Sequence, residues 1–362
     1  IDQKEHREQF RIEGKDFINS RLTLLAGTDI QRFGINKSIG IHSSGFDSVI
    51  KNDFTETIAS GYAELSWTPI YWLALRPGFR YEHSVLLDTD NIAPRISMAV
   101  RTGNHSQFSV ASGLFYQEAT YAYLLAGLRP QMQQAIHYIA NWQWSKDNRT
   151  LRLEGYYKDY QKLLREPYST FDPNTYRQIT STTFIDNTGY GYAKGLELFW
   201  RDKKTVKNLD YWVSYSYIDT KRKYLNFPAE ATPTFISAHN LNLVSKYFID
   251  KWQTSISATY SYASGRPYYD PATQGDLSKF MTDRTPDYHN LALSAAYLHT
   301  FGKWFTVFYI SIDNVTNQHN IFGYRYLQSG GVLVKSPIVP ALYRTIFFGV
   351  NMSLTQFSKD EL

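Results

Sequence analysis

The sequence predicts an all-β fold, a transmembrane antiparallel β-barrel, and three observations support this class. First, apolar and polar residues alternate over spans of about ten residues, long enough for a tilted strand to cross a bilayer. Second, short and long connections alternate along the chain, as expected of a barrel with turns on one rim and loops on the other. Third, 16% of the 362 residues are aromatic. We find no apolar run near 18 residues, which excludes transmembrane helices.

Charge and cysteine content narrow the class of protein further. The net charge of +5 is modest for this length and is spread along the chain, so no nucleic-acid partner is expected. The chain has no cysteine, which excludes a disulfide framework and thiolate chemistry. Composition therefore leaves the predicted barrel as the class to test strand by strand.

Each predicted strand is an alternating run between turn residues. The fifteen predicted strands cover 3–18, 21–35, 54–67, 71–83, 92–102, 106–117, 135–145, 149–163, 189–202, 208–221, 237–249, 251–264, 287–300, 304–315 and 342–354. Short turns are predicted at 19–20, 67–71, 146–148, 248–251 and 301–303, and long loops at 36–53, 118–134, 164–188, 222–236, 265–286 and 316–341. The connection at 84–91 belongs to the rim of the long loops, although it is shorter than the others.

Three strands show the alternation most clearly. In the strand at 251–264, Ile256, Tyr260 and other apolar residues share one parity, and serine and threonine residues occupy the other. The strand at 149–163 opposes Leu151 and Leu153 to charged residues, and the strand at 208–221 repeats the pattern. Charged residues on one parity within a membrane span indicate a wet lumen on that side.

Tryptophan placement supports the same orientation. Indole rings collect at membrane boundaries, near strand ends. All eight tryptophans lie beside predicted short turns: Trp67, Trp72, Trp142, Trp144, Trp200, Trp212, Trp252 and Trp304. The short turns are therefore predicted to mark one membrane boundary, the periplasmic one in a bacterial outer membrane.

Several segments together resemble a known family. They are Ser237–Tyr269, Gly191–Phe199 (GYAKGLELF), Asn91–Arg95 (NIAPR), Leu151–Leu164 and Phe308–Tyr326. In their order and spacing they resemble the barrel of TonB-dependent outer-membrane receptors, with features seen in Bacteroidetes. The resemblance implies a 22-stranded barrel around an N-terminal plug, which imports scarce nutrients with energy from the TonB complex.

The resemblance also suggests which part of such a receptor this chain supplies. Residues 1–354 are expected to form strands eight to twenty-two, followed by a short tail at 355–362. Because fifteen strands ending at the C-terminal strand leave about seven of the family's twenty-two, those strands, the plug and its contact with the TonB complex would then lie upstream. The chain also opens without a signal peptide. We favour a fragment of a longer polypeptide over a barrel completed by a second chain. In either case, the edges to be completed are 3–18 and 342–354.

The resemblance places ligands under the outer loops, held by aromatic and basic side chains. Aromatic faces suit rings, and guanidinium groups suit carboxylates or phosphates. The candidates are Tyr121, Tyr123, Arg129, Tyr168, Phe171, Tyr176, Arg177, Tyr224, Arg266, Tyr268, Tyr269, Arg284, Tyr324, Arg325 and Tyr326. The turn Gly265-Arg266-Pro267-Tyr268 ranks highest. The same residues could instead brace loops or line the outer aromatic girdle.

Function is thus predicted to be active transport, with outer-membrane lipid, the TonB complex and a small nutrient as partners. A siderophore, vitamin, glycan or peptide would fit, and a surface lipoprotein could assist. Alternatives are a passive channel, a surface-binding module, and an outer-membrane hydrolase using His83 with Asp88 and Asp90, or His289 near Asp287. A solvated loop edge explains both histidine clusters, so no catalytic residue, metal or cofactor is predicted.

Overall fold

The structure is a computed structural model, and it describes residues 2–43, 46–172, 179–273 and 275–354. Its strands are β1 (Asp2–Asn19), β2 (Leu22–Ser43), β3 (Phe46–Ile70), β4 (Leu73–Ser84), β5 (Thr89–Gly103), β6 (Ser106–Gln117), β7 (Gln133–Lys146), β8 (Arg149–Arg165), β9 (Asp186–Asp202), β10 (Leu209–Lys223), β11 (His239–Ile249), β12 (Thr254–Ala263), β13 (Pro267–Tyr268), β14 (Asp283–Arg284), β15 (Tyr288–Phe301), β16 (Trp304–Asp313), β17 (Gly323–Ser329), β18 (Val332–Ile338) and β19 (Thr345–Ser353). The helices are α1 (Tyr121–Leu125) and three single 3-10 turns, Asp250–Trp252, Pro271–Thr273 and Leu277–Lys279.

Fifteen strands form one sheet in the order β1 to β12, then β15, β16 and β19. Neighbours in this order are also neighbours in sequence, apart from the small strands that the order skips. Those strands form two separate two-stranded sheets, β13 with β14 and β17 with β18. The end strands of the order are β1 and β19, the two segments predicted as edges. The fifteen strands of the large sheet are the fifteen predicted from the sequence, with shifted ends.

The predicted long loop at 36–53 is wrong. Strands β2 and β3 continue through it, and their backbone pairing runs from Asn36 opposite Asp53 to Ser43 opposite Phe46. Paired strands satisfy each other's backbone N–H and C=O groups, so the two strands can extend well beyond the span predicted from the sequence. Two of the other predicted loops, 265–286 and 316–341, contain the small sheets.

The predicted turn before β12 also differs. Asp250–Trp252 forms a 3-10 turn, and Gln253 takes a left-handed conformation with φ of 47°. The Gln253 side chain donates a 2.6 Å hydrogen bond back to the Asp250 carbonyl. Strand β12 therefore begins at Thr254, and Trp252 lies in the turn and not in the strand as predicted.

The strands around β12 have one apolar and one polar face. On the apolar face, Leu243, Ile256, Leu293 and Ile310 each expose between 38% and 45% of their surface. On the other face, serines line up across three strands, Ser257 opposite Ser294 and Ser294 opposite Ser311. An uncovered apolar face suits lipid, and a polar face suits a wet lumen. No helix in the described ranges is long and apolar enough to cross a bilayer.

The chain divides into two compact units. Unit 1 comprises Ile1–Asn141, Tyr156–Lys194 and Thr220–Ala231, and unit 2 comprises Trp142–Gly155, Gly195–Asp219 and Thr232–Leu362. In unit 1, the polar face of β1–β3 carries a buried carboxylate, Asp29, which accepts hydrogen bonds from Gln9 at 3.0 Å and Gln31 at 2.8 Å. In unit 2, Trp144 and Trp200 stack with centroids 6.4 Å apart, near the turn ends of β7 and β9.

Candidate ligand-binding site

The highest-ranked sequence candidate, the turn after β12, is held rigidly by its backbone. The Arg266 main-chain N–H donates to Thr285 Oγ1 at 2.9 Å, and the Arg266 carbonyl accepts from the Thr285 N–H at 2.9 Å. The Gly265 N–H donates to Asp287 Oδ1, also at 2.9 Å. A Cβ at position 265 would lie 1.9 Å from the Thr285 carbonyl oxygen, so only glycine fits. These contacts fix where the Arg266 side chain begins.

A cavity of about 350 Å³ lies beside this turn, at the loop-side ends of β11, β12 and β15. Arg266 is the only residue of its lining with a formal charge. Neutral polar and aromatic groups supply most of the rest: Ser237, Asn240, Asn242, Ser261, Tyr262, Ser264, Thr285, Tyr288 and Phe322. The cavity therefore offers one positive charge within a neutral, hydrogen-bonding surround.

The two small sheets meet near this turn. Strand β13 pairs with β14, so that Pro267 lies opposite Arg284 and Tyr268 opposite Asp283. The Tyr268 and Tyr324 rings lie 4.7 Å apart between centroids, and Lys335 Nζ lies 4.3 Å from the first and 4.1 Å from the second. Lys335 also donates a hydrogen bond to the Tyr268 hydroxyl. We call Tyr268, Tyr324 and Lys335 the loop clasp.

The remaining candidates of unit 2 flank the loop clasp. Tyr269 packs against Phe280, with ring centroids 5.5 Å apart. Tyr326 is buried, and burial raises the pKa of its hydroxyl. Arg284 and Arg325 are exposed on β14 and β17. The structure thus gathers Arg266, Tyr268 and Tyr324 with their neighbours into one region of loops.

The candidates on α1 and after it serve packing in unit 1. Tyr121 stacks on Phe33, with ring centroids 4.4 Å apart. Tyr123 is fully buried, and its hydroxyl donates to the buried carboxylate of Glu166. Arg129 donates to the carbonyl of Leu128 at 2.9 Å. These contacts match the bracing role that the sequence left open for such residues.

The other unit 1 candidates form aromatic contacts in the loops. Tyr168 is 82% exposed and contacts Phe184, with centroids 5.1 Å apart. Tyr224 and Phe171 both pack on Phe227, at 4.8 Å and 5.5 Å. Tyr176 and Arg177 lie outside the described residues. Tyr168 is thus the most exposed of the described aromatic candidates in this unit and stays a predicted contact for a ligand.

Sequence inspection missed several residues of the site. Lys335 gave no signal, because its partner Tyr268 lies 67 positions away along the chain. Asn240, Asn242 and Ser261 had a usable signal, since they occupy the polar parity near the loop ends of β11 and β12. Their parity was recognised in the sequence, but their convergence on Arg266 needed the pairing of three strands.

Glu118 in unit 1 was also missed. It directly follows β6, and burial raises the pKa of its carboxyl to about 7, with further contributions from Glu56 and Glu82. One of its oxygens is buried without a hydrogen-bond partner in the described part of the chain. A carboxyl with this pKa changes charge near neutral pH.

The two histidine clusters weighed as acid–base groups make local side-chain contacts. His83 and Asp90 face each other across β4 and β5, with His83 Nδ1 2.9 Å from Asp90 Oδ1. The other group that contacts this carboxylate is the Tyr81 hydroxyl and not a serine. Asp287 accepts from Tyr262, whereas His289 Nδ1 lies 2.9 Å from the Tyr260 hydroxyl. The described ranges hold no group of three or more His, Asp or Glu side chains that could bind a metal.

Strands with one lipid-compatible face, short turns beside tryptophans and structured loops define an outer-membrane β-barrel protein. The family model described as TonB dependent receptor-like, beta-barrel matches residues 2–315. The chain belongs to this family, and it is an outer-membrane protein. The family consists of transporters, which argues against the hydrolase alternative.

Solved structures give the same fold. The chain is similar to the ferric yersiniabactin uptake receptor FyuA from Yersinia pestis, with a TM-score of 0.71, 12% identity, and coverage of 97% of this chain and 54% of that one. It is similar to the outer membrane transporter YddB from Escherichia coli, with a TM-score of 0.68, 12% identity, and coverage of 96% and 54%. The copper transporter OprC gives a TM-score of 0.70, 13% identity, and coverage of 96% and 57%. The chain spans about half the length of these structures. No curated protein sequence matches it.

Proposed function

We propose that this chain is part of an outer-membrane receptor that binds a scarce nutrient beneath its loops and imports it with energy from the TonB complex. The observation that carries the proposal is the cavity at the loop-side ends of β11, β12 and β15. Its rigid turn, single guanidinium and hydrogen-bonding lining are suited to selective binding. A wide passive channel does not require a hydrogen-bonding cavity with a fixed guanidinium.

Several parts of the proposed mechanism lie outside this chain. The plug that contacts the TonB complex and the remaining strands of a 22-stranded barrel would come from further sequence. The similar solved structures include an uptake receptor for ferric yersiniabactin and a copper transporter. For this receptor the proposed cargo is a small nutrient captured at the cavity and released past the plug.

Growth competition tests the proposal. A strain lacking the receptor is compared with its parent during growth limited in turn by iron, cobalamin, a glycan or a peptide. We expect a disadvantage under one limitation, and we expect it to vanish when both strains also lack TonB. A disadvantage that persists without TonB would instead indicate a passive channel. Immunoblots of outer-membrane fractions control for receptor abundance.

A further inference from the structure

We propose that the cavity beside Arg266 binds one carboxylate group of an organic nutrient, and that its neutral groups recognise the uncharged polar part of the same molecule. This inference rests on the proposed import function, because it specifies the class of cargo. It follows from the charge, the hydrogen-bonding capacity and the size of the cavity.

The charge of the cavity selects a monoanion. The Arg266 guanidinium has no hydrogen-bond or ion-pair partner within residues 2–43, 46–172, 179–273 and 275–354. The nearby carboxylate of Asp287 is directed elsewhere, since its two oxygens accept from the Tyr262 hydroxyl and the Gly265 N–H, both at 2.9 Å. A part-buried guanidinium without a partner favours an anion, and its planar fork matches the two oxygens of a carboxylate.

Other charged ligands fit less well. A phosphate monoester carries a charge of about −1.5 to −2 at neutral pH, which one guanidinium neutralises only in part. A bare transition-metal ion would be bound by imidazole, thiolate or carboxylate ligands, and the cavity lining contains none of these. A cationic ligand would meet the positive charge of Arg266. The carboxylate is therefore the anion that matches this site.

The neutral groups divide into donors and acceptors. Asn242 Oδ1 accepts from Ser261 Oγ at 2.8 Å, so the Asn242 side-chain nitrogen remains as a donor for a ligand. Asn240 Nδ2 donates to the Ser237 carbonyl at 3.0 Å, so the Asn240 side-chain oxygen remains as an acceptor. Such a pair recognises hydroxyl or amide groups, which both donate and accept.

An aromatic wall completes the site. The rings of Tyr288 and Phe322 stack with centroids 6.0 Å apart, and both residues line the cavity. A volume of about 350 Å³ is at the small end of the range for ligand pockets. The cavity therefore suits a small hydroxylated or amide-containing acid, or the acidic end of a larger one.

Binding measurements on the intact receptor in detergent micelles test this inference. Ligand-detected NMR would give dissociation constants for matched probes: glucuronate against glucose, benzoate against benzamide, and N-acetylglycine against its amide, with glucose 6-phosphate as the phosphate probe. We expect at least one carboxylate to bind about 10-fold or more tightly than its neutral counterpart. Arg266→Gln should weaken that carboxylate about 10- to 100-fold and leave the neutral counterpart unchanged, because a charge-assisted hydrogen bond is lost.

Two variants sharpen the test. Arg266→Lys keeps the charge but loses the fork, so its affinity should fall between those of the parent and Arg266→Gln. Arg101→Gln removes the same charge from an exposed position on β5, outside the cavity lining and apart from every candidate, and should change nothing. The substitutions at position 266 keep the hydrogen bonds to Thr285, because those use the main chain. Heat-modifiable mobility on gels confirms that each variant folds.

Three results would overturn the inference: no carboxylate binds better than its neutral counterpart, glucose 6-phosphate binds best, or Arg101→Gln weakens binding as much as Arg266→Gln does. Growth assays separate this failure from failure of the proposed function. If the Arg266→Gln receptor still supports full TonB-dependent growth, the carboxylate site is refuted and the proposed import function stands. If growth does not depend on TonB, active import is refuted, whatever the purified receptor binds.

Discussion

Gly265 lies where two backbone segments approach too closely for any side chain. A Cβ there would meet the Thr285 carbonyl oxygen at 1.9 Å, so Gly265→Ala must displace the turn that carries Arg266. We expect a loss of about 1–3 kcal/mol in local stability, as for other overpacked sites. Protease sensitivity of the outer loops in whole cells would measure it. Gly323→Ala is the control, since its Cβ would meet only Ile338 at an ordinary 3.5 Å; equal sensitivity of both variants would contradict the prediction.

Glu118 makes stability depend on pH. Burial, then repulsion by Glu56 and Glu82, raises the pKa of its carboxyl from 4.5 to about 7. Between those values the folded state binds more protons than the unfolded state, so stability falls as pH rises. We expect Glu118→Gln to match the parent near pH 4.5 and to be more stable at pH 8 in urea unfolding. The exposed Glu5→Gln variant should follow the parent throughout. If the stability of Glu118→Gln falls with rising pH as much as that of the parent, the prediction is refuted.

At the scale of elements, β15 provides a matched test of its two faces. Leu293 lies between Ala258 and Ile312 on the apolar face, whereas the next residue, Ser294, lies between Ser257 and Ser311. We expect Leu293→Arg to cost about 2–4 kcal/mol, because arginine on a lipid face is expensive near the membrane centre. Ser294→Arg should cost far less. Unfolding in lipid vesicles measures both, and equal costs would mean that the faces are assigned wrongly.

The loop clasp ties the two small sheets together. Lys335→Met keeps most of the side-chain length but removes the charge that lies over Tyr268 and Tyr324. Cation–π contacts at exposed sites are worth about 0.5–1 kcal/mol each. We therefore expect several-fold faster amide exchange in β17 and β18. Lys279→Met removes only an exposed ion pair with Asp276 and serves as control. Unchanged exchange in Lys335→Met would show that the clasp does not hold the sheets.

Local pattern predicted the large sheet but not the details of its loops. Alternation along 251–264 and 287–300 is encoded residue by residue, so these strands could be found without a partner. Arg266 was also found, since a Gly-Arg-Pro-Tyr sequence indicates a turn. Lys335 was not, because its contact with Tyr268 joins residues 67 positions apart. The extended pairing of 36–43 with 46–53 was missed, because pairing between two strands is not visible in the local pattern of either one.

At the scale of the whole molecule, the end strands need partners. Strands β1 and β19 each have one neighbour in the order of the large sheet. An unpaired backbone group in hydrocarbon costs several kcal/mol. We expect the amides of both strands to exchange as slowly as those of β12 when the receptor is studied in its membrane. Fast exchange along β1 or β19 would contradict completion of the wall by further strands, whether from the same polypeptide or from a second chain.

The small sheets have one more consequence. Strands β13 and β14, like β17 and β18, pair only with each other and take no register from the large sheet. Each can therefore be replaced as a cassette while the membrane wall keeps its pairing. Selection could retune what the receptor captures by exchanging these hairpins, without remaking the scaffold that lipid and insertion machinery constrain.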